Sequence, residues 1–141
     1  MDSTTPSELV CEFVVLGVPI SAQTHNNGAK VAWMTSVADA ARDAWGPRGP
    51  LSDDLAAFVT YYGVGGWHLD LDNMAKPILD AVTGVVWSDD KQLVDIHPAR
   101  RELDGLYYLR GISEALAKGF VSDGAFVHMK ITTPPDRRRL S

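Results

Sequence analysis

Apolar and polar positions along the chain follow two different periods, and each period predicts one type of element. Runs of β-branched and aromatic residues with alternating polarity predict strands, whereas apolar residues three and four positions apart predict amphipathic helices. The predicted strands are Glu12–Val18, Leu55–Tyr62, Lys91–Glu102 and Ala125–Thr132, and Trp67–Leu71 is predicted to be a short extended segment.

Helical spacing is clearest in the first third of the chain. Thr35 or Ser36 is predicted to cap this helix, and Gly46-Pro47 is predicted to end it. The apolar positions that share one face of this helix are Met34, Val37, Ala38, Ala41 and Trp45.

Two further helices are predicted over Asn73–Thr83 and Ile112–Gly119. The order of strands and helices predicts an α+β fold, in which helices pack on a mixed β-sheet. We expect a single small domain over residues 1–133, followed by a flexible basic tail over 134–141.

The composition is that of a globular domain, with 45% hydrophobic and 22% charged residues among 141. No apolar run approaches the roughly 20 residues of a membrane helix, and the polar start Met1–Glu8 is unlike a secretory signal. Cys11 is the single cysteine, which excludes an internal disulfide and a cysteine zinc cluster. We therefore expect a soluble, cytoplasmic protein.

The net charge is −5, from 13 Lys and Arg against 18 Asp and Glu. Proteins that bind nucleic acid contact phosphates through Lys and Arg. Taken alone, the acidic balance therefore argues against a nucleic-acid partner.

Candidate chemistry begins at Asp70 and Asp72, which are two residues apart. In an extended segment both carboxylates project from the same face. Oxygen ligands without a cysteine partner favour a hard cation, Mg²⁺ or Mn²⁺. The alternative is that Asp72 or Asn73 only caps the helix that follows.

The helix after this pair carries Asn73, Lys76 and Asp80 on one stripe, within about 60° of one another at 100° per residue. A lysine and a further carboxylate thus share the polar face of the helix. The alternative is that Lys76 and Asp80 form only a surface ion pair, which contributes little.

A second carboxylate pair, Asp89-Asp90, lies in the turn after this helix. A short reversal at that point can return the chain towards the start of the helix. The alternative is a solvated acidic turn without a ligand.

These residues form one ordered run, D70-L-D72-N73-M-A-K76-P-I-L-D80-A-V-T-G84 followed by W87-S-D89-D90-K-Q92-L-V-D95. The run resembles the RusA-type Holliday-junction resolvases and their RusA-like relatives, whose pattern is D-x-D-N-x-x-K, then D-A-[LV]-x-G, then D-D-x-Q-[VL]. The resemblance implies a RusA-like fold and a small homodimer that cuts branched DNA with Mg²⁺, or with Mn²⁺ in its place.

By motif position, the resemblance implies that Asp70, Asp72 and Asp90 bind the metal and that Lys76 is the active-site lysine. These four residues are the catalytic candidates, and Asn73, Asp80 and Asp89 support them. The candidate DNA contacts follow the acidic turn: Lys91, Arg100 and Arg101.

The chain also departs from the family pattern. It is acidic, it carries an extra segment at about Asp104–Asp123, and V64-G-G-W-H-L stands where resolvases have a basic stretch. The alternative is therefore a non-catalytic member of the same fold that binds nucleic acid or protein. If Asp70, Asp72, Asp89 and Asp90 hold cations, however, the remaining charge is −1, so the acidic balance no longer argues against a nuclease.

Three additional contacts are possible from the sequence. His68 has the same parity as Asp70 and Asp72, so it is a candidate metal or phosphate contact. Trp67 is a candidate for stacking on a base, and the tail residues Arg137–Arg139 are candidates for contacting DNA.

Overall fold

The computed structural model describes residues 7–65, 69–103 and 111–135. These residues form four strands, three α-helices and one turn of 3₁₀-helix. In chain order the elements are β1 (Leu9–Leu16), α1 (Asn27–Trp45), β2 (Leu55–Gly63), α2 (Leu71–Val82), the 3₁₀ turn (Asp90–Gln92), β3 (Leu93–Glu102), α3 (Glu114–Val121) and β4 (Phe126–Thr132).

The four strands form one sheet in the order β1-β4-β2-β3. β4 is antiparallel to both β1 and β2, whereas β3 is parallel to β2. A parallel pair requires a crossover connection, and α2 lies within it. The sheet is therefore mixed and helices pack on it, which confirms the predicted α+β fold.

Helices α1 and α2 cover one face of the sheet and enclose the main core with it. Alternate residues of β2, beginning with Leu55 and ending with Tyr61, belong to this core. The helices contribute the buried residues Trp33, Val37, Ala41, Trp45, Met74, Ile78 and Val82. Helix α3 lies towards the other face, where Phe120 contacts the rings of Tyr62 and Phe126 edge-on.

The N-cap of helix α1 lies nine or ten residues earlier than the sequence predicts. It is Asn26, whose side chain accepts a hydrogen bond from the backbone N–H of Ala29 at 3.0 Å. The predicted caps, Thr35 and Ser36, are exposed residues in the middle of the helix. The prediction was wrong because Asn-Asn-Gly is also typical of a turn, and because exposed Val31 interrupts the apolar period.

The other predicted helices and the four predicted strands exist, with shifted ends. β1 covers Leu9–Leu16, and β3 begins at Leu93 because the 3₁₀ turn occupies the two residues before it. Helix α3 falls within the extra segment at 104–123, of which residues 104–110 lie outside the described part. Most of the predicted tail, residues 136–141, also lies outside it. Within the described ranges, no helix is long and apolar enough to cross a membrane.

Candidate active site

Asp70 is the N-cap of α2, so Asp70 and Asp72 do not share the face of a strand. The Oδ1 atom of Asp70 accepts a hydrogen bond from the backbone N–H of Asp72 at 3.0 Å. This bond satisfies one of the amide groups that a helix start leaves without a partner. The predicted extended segment was therefore wrong at Leu71, which is the first residue of α2, and neither Asp72 nor Asn73 is the cap.

Pro77 is the seventh residue of α2 and lies in its second turn. A proline inside a helix removes the hydrogen bond to the carbonyl four residues earlier, which here belongs to Asn73. That carbonyl instead accepts a hydrogen bond from the backbone N–H of Ala22 at 2.8 Å. The loop before α1 thus compensates the proline and fixes the first half of α2.

The two sides of α2 differ in exposure. Its apolar stripe, centred on Ile78, is fully buried against the sheet and α1. Asp72, Lys76 and Asp80 are exposed on the polar stripe. This amphipathic pattern confirms the predicted helix and directs its charged residues away from the core.

A cleft of about 240 Å³ lies between α2 and the start of β3. Asp72, Lys76 and Asp80 line one side, and Asp90 lines it from the 3₁₀ turn. The remaining lining is apolar and consists of Ala75, Leu79, Leu93 and Ile96. The fold therefore brings three of the four catalytic candidates to one cleft, whereas Asp70 is not among the residues that line it.

The chain returns to α2 at this point because β3 is parallel to β2. Leu93 pairs with Leu55 at the start of both strands, and the 3₁₀ turn that begins at Asp90 directly precedes Leu93. The crossover therefore determines the position of Asp90.

The acidic turn is shaped by its own hydrogen bonds. The Oδ1 atom of Asp89 accepts from the backbone N–H of Lys91 at 2.9 Å. This bond and the neighbouring Asp90 side chain hold the pKa of Asp89 below its usual value. The two carboxyl groups are thus close to each other and exposed to solvent.

Gln92 belongs to the D-D-x-Q part of the motif, and its role was not predicted from the sequence. It is buried, and its side-chain Oε1 accepts from the backbone N–H groups of Ser88 and Asp89 at 2.9 and 2.8 Å. With the side chain of Asp89 it forms a capping box. The sequence signal was available, since an Asp followed three residues later by Gln is the capping-box spacing.

The donor set of the cleft matches a hard divalent cation in chemical type, because it consists of carboxylate oxygens. Asp72, Asp80 and Asp90 supply them from two elements that face each other. Within the described ranges, however, no group of three or more His, Cys, Asp or Glu residues is arranged to hold a metal ion. The metal-binding trio predicted from the motif therefore stays a prediction.

The candidate DNA contacts lie on different sides of the sheet. Arg100 pairs with Tyr61 and Arg101 with Tyr62, and residues paired across neighbouring strands project from the same face. Because Tyr61 belongs to the core face, Arg100 projects towards the side of α1 and α2, and Arg101 projects towards the opposite side. Arg100 also forms an ion pair with Glu102 at 3.2 Å.

Lys91 is exposed beside Asp90 in the 3₁₀ turn. Trp67, His68 and Arg137–Arg139 lie outside the described residues.

Two comparisons with known proteins bear on the identity of the chain. No curated protein matches it at a significant level. The family model described as endodeoxyribonuclease RusA matches residues 21–104, which is more than half of the 141 residues. The matched range contains α1, β2, α2, the acidic turn and β3. The chain therefore belongs to the RusA endodeoxyribonuclease family, whose members are nucleases that act on branched DNA.

Proposed function

We propose that this protein is a Mg²⁺-dependent endodeoxyribonuclease that hydrolyses phosphodiester bonds in branched DNA, four-way junctions included. The observation that carries the proposal is the cleft in which Asp72, Lys76 and Asp90 meet from two elements. Asp72 and Lys76 lie one turn apart on α2, Asp90 lies in the 3₁₀ turn that follows, and each belongs to the motif of a nuclease family.

In this proposal Asp72 and Asp90 hold the divalent ion, with Asp70 as the third carboxylate of the motif. When bound, such an ion polarises a phosphoryl oxygen and lowers the pKa of an attacking water. Mn²⁺ has similar ligand preferences and is expected to substitute for Mg²⁺. The capping bond of Asp70 fixes the first turn of α2 and therefore orients Asp72 towards the cleft.

Lys76 acts on the phosphate in this proposal. Its ammonium group offsets the negative charge that develops on the phosphoryl oxygens during hydrolysis. The Asp80 carboxylate lies 3.3 Å from the Lys76 Nζ atom and holds it over the cleft. Asp80 is thus a positioning residue for the lysine.

DNA binding by this acidic chain depends on local charge. Lys91 is beside the acidic turn, and Arg100 projects to the same side of the sheet as Ile96, which lines the cleft. Arg101 is on the opposite side and is a contact only for a DNA strand that passes around the edge strand β3. We expect a homodimer, since two symmetry-related sites suit paired cuts in a nearly symmetric junction.

The test uses the purified protein with labelled four-way junctions, flaps, single strands and duplexes. Each DNA is incubated with Mg²⁺, with Mn²⁺ or with EDTA, and products are resolved on denaturing gels. We expect metal-dependent cleavage of branched forms, and light scattering is expected to give the mass of a dimer. Failure to cleave any of these DNAs with either metal contradicts the proposal.

A second candidate function is a non-catalytic module that binds nucleic acid or protein. It is favoured by the exposed carboxylates, which form no ready three-ligand group within the described ranges, and by the net charge of −5. Calorimetric titration with Mn²⁺ separates the two functions. Absence of binding at millimolar Mn²⁺ favours the non-catalytic module.

A further inference from the structure

The amide of Gln92 has no unused hydrogen-bonding capacity. Its Oε1 atom accepts two backbone N–H groups, from Ser88 and Asp89. Its Nε2 atom donates to two backbone carbonyls, those of Leu51 and Asp53, both at 2.8 Å. A glutamine offers two donors and two acceptor sites, so all four are used.

These four bonds connect two segments that are distant in sequence. Ser88 and Asp89 belong to the acidic turn, whereas Leu51 and Asp53 lie in the loop between α1 and β2. Gln92 is 8% exposed, and a buried polar group is costly unless its partners are retained. The Gln92 side chain therefore connects the turn to this loop by four hydrogen bonds.

The loop between α1 and β2 is itself hydrogen-bonded to the segment that follows α2. The Leu51 N–H donates to the Val86 carbonyl at 2.8 Å, and the Leu51 carbonyl accepts from the Ser88 N–H at 3.1 Å. Leu51 also pairs with Trp87, which is fully buried in the core. The position of the acidic turn is thus fixed relative to the core from which α2 also projects.

We propose that Gln92 is a positioning residue that holds the Asp89-Asp90 turn so that the Asp90 carboxylate faces the Asp72 side of the cleft. This inference rests on the proposed function and adds to it a residue that touches neither metal nor DNA. Gln92 acts through the backbone of the turn, as supporting hydrogen bonds orient metal-binding side chains in other proteins.

The test begins with amide hydrogen exchange, measured by NMR without metal or DNA. The Asp89 N–H is the best probe, because its hydrogen bond is to the Gln92 side chain. Gln92→Met keeps the length of the side chain and removes all four bonds. We expect the Asp89 amide to exchange about tenfold faster or more, since losing about 1.4 kcal/mol of protection is a factor of ten.

Thr83→Val is the matched control. It removes a hydroxyl that accepts from the Trp87 Nε1 atom and donates to the Leu79 carbonyl, both at 2.9 Å. It therefore weakens the same region without altering any bond of Gln92. Any change of exchange in this variant is expected to be spread over the fold and not concentrated at Asp89.

The second measurement is calorimetric binding of Mn²⁺. We expect Gln92→Met to weaken binding by roughly 10- to 100-fold, the usual effect of losing an outer hydrogen bond at a metal site. Gln92→Glu keeps an acceptor for Ser88 and Asp89 but loses both donated bonds to the loop and places a carboxylate oxygen against the Leu51 and Asp53 carbonyls, so we expect a loss at least as large. If Gln92→Met does not fold, the exchange and Mn²⁺-binding measurements are made on Gln92→Glu.

The outcomes separate this inference from the proposed function. Unchanged Asp89 exchange in both Gln92 variants, or unchanged Mn²⁺ affinity, overturns the role of Gln92 even if the unaltered protein cleaves DNA. Faster exchange together with weaker Mn²⁺ binding supports it. If the unaltered protein binds no Mn²⁺ and cleaves no DNA, the proposed function fails and the metal-directed role of Gln92 fails with it.

Discussion

The Nζ atom of Lys76 lies 3.3 Å from the Oδ2 atom of Asp80, one turn further along α2. The lysine side chain is 67% exposed and the aspartate side chain 43%. An exposed pair of this kind contributes at most about 1 kcal/mol to stability. Both residues also line the cleft with Asp72 and Asp90. We therefore infer that the ion pair positions Lys76 at the cleft and contributes little to the stability of α2.

Lys76→Ala is therefore expected to reduce DNA cleavage while leaving the fold nearly as stable. We expect a loss of about 10²- to 10³-fold in cleavage rate, the usual effect of removing one group that stabilises charge in the transition state. The change in the free energy of unfolding is expected to stay within about 1 kcal/mol. Cleavage assays under single-turnover conditions and urea unfolding measure the two quantities.

Lys118→Ala is the control for this variant, since Lys118 is exposed on α3 and does not line the cleft. Its cleavage rate is expected to be unchanged. Equal rates for Lys76→Ala and the unaltered protein are incompatible with the role proposed for Lys76.

Asp72→Asn and Asp90→Asn are expected to abolish metal-dependent cleavage, with losses of about 100-fold or more, because a bound ion supplies several kcal/mol of stabilisation. Asp72 is in the first turn of α2, so neutralising it also costs about 0.3–1 kcal/mol of helix stability. Asp43→Asn, on the exposed side of α1, is the control. Mn²⁺ titration that shows normal affinity in both cleft variants argues against these residues as ligands.

Arg100→Ala and Arg101→Ala are expected to differ, although the two residues are neighbours in sequence. The register of β3 directs Arg100 to the side of the cleft and Arg101 to the opposite side. A lost phosphate contact reduces the slope of log affinity against log salt by about 1. We expect this reduction for Arg100→Ala alone, measured by fluorescence anisotropy with labelled junctions in EDTA. A larger effect of Arg101→Ala would show that DNA docks on the other face of the sheet.

Glu12 lies in a separate cluster between β1, β4 and α3. Its Oε2 atom is 2.6 Å from both the Ser113 Oγ and the His128 Nε2. Burial alone would raise the pKa of Glu12, but the hydrogen bonds from Ser113 and His128 and the nearby basic groups of His128 and Lys130 lower it. The ionised form is thus favoured by folding, and this contribution is complete above the unfolded value of about 4.5.

The contribution is lost as the pH falls through the lower pKa of the folded state. Glu12→Gln is therefore expected to be less stable than the unaltered protein at pH 7 by about 1–3 kcal/mol. The difference is expected to shrink below about pH 4.5. Urea unfolding at pH 7 and pH 3 measures it, with exposed Glu8→Gln as the control. A difference that does not change with pH excludes the ionised carboxylate as its source.

Gly119→Ala tests how closely α3 approaches the sheet. A Cβ atom at this buried position would come within 2.4 Å of the Phe126 ring. The helix must therefore shift, and we expect a net loss of about 1–3 kcal/mol in the free energy of unfolding. This loss outweighs the gain from the higher helix propensity of alanine compared with glycine. Gly28→Ala, near the start of α1, meets its nearest atom at 3.6 Å and is expected not to destabilise the protein.

The sequence predicted the elements whose apolar period is complete. The alternation in β2 and the buried stripe of α2 each report one face packed against a core, and the structure confirms both. The prediction failed at element ends. Asn26 and Asp70 start helices through side-chain hydrogen bonds to the backbone, and such a bond has no period along the chain.

The motif determined the family, and it named the residue types that a metal-dependent nuclease needs. It did not reveal which of them meet. The parallel pairing of β2 and β3 brings Asp90 opposite Asp72 and Lys76, while Asp70 is used as a helix cap. Gln92 joins the acidic turn to residues about forty positions away. Residue types and local periods are properties of the sequence, whereas contacts between distant segments depend on the register of the strands and on the hydrogen bonds that each buried group must find.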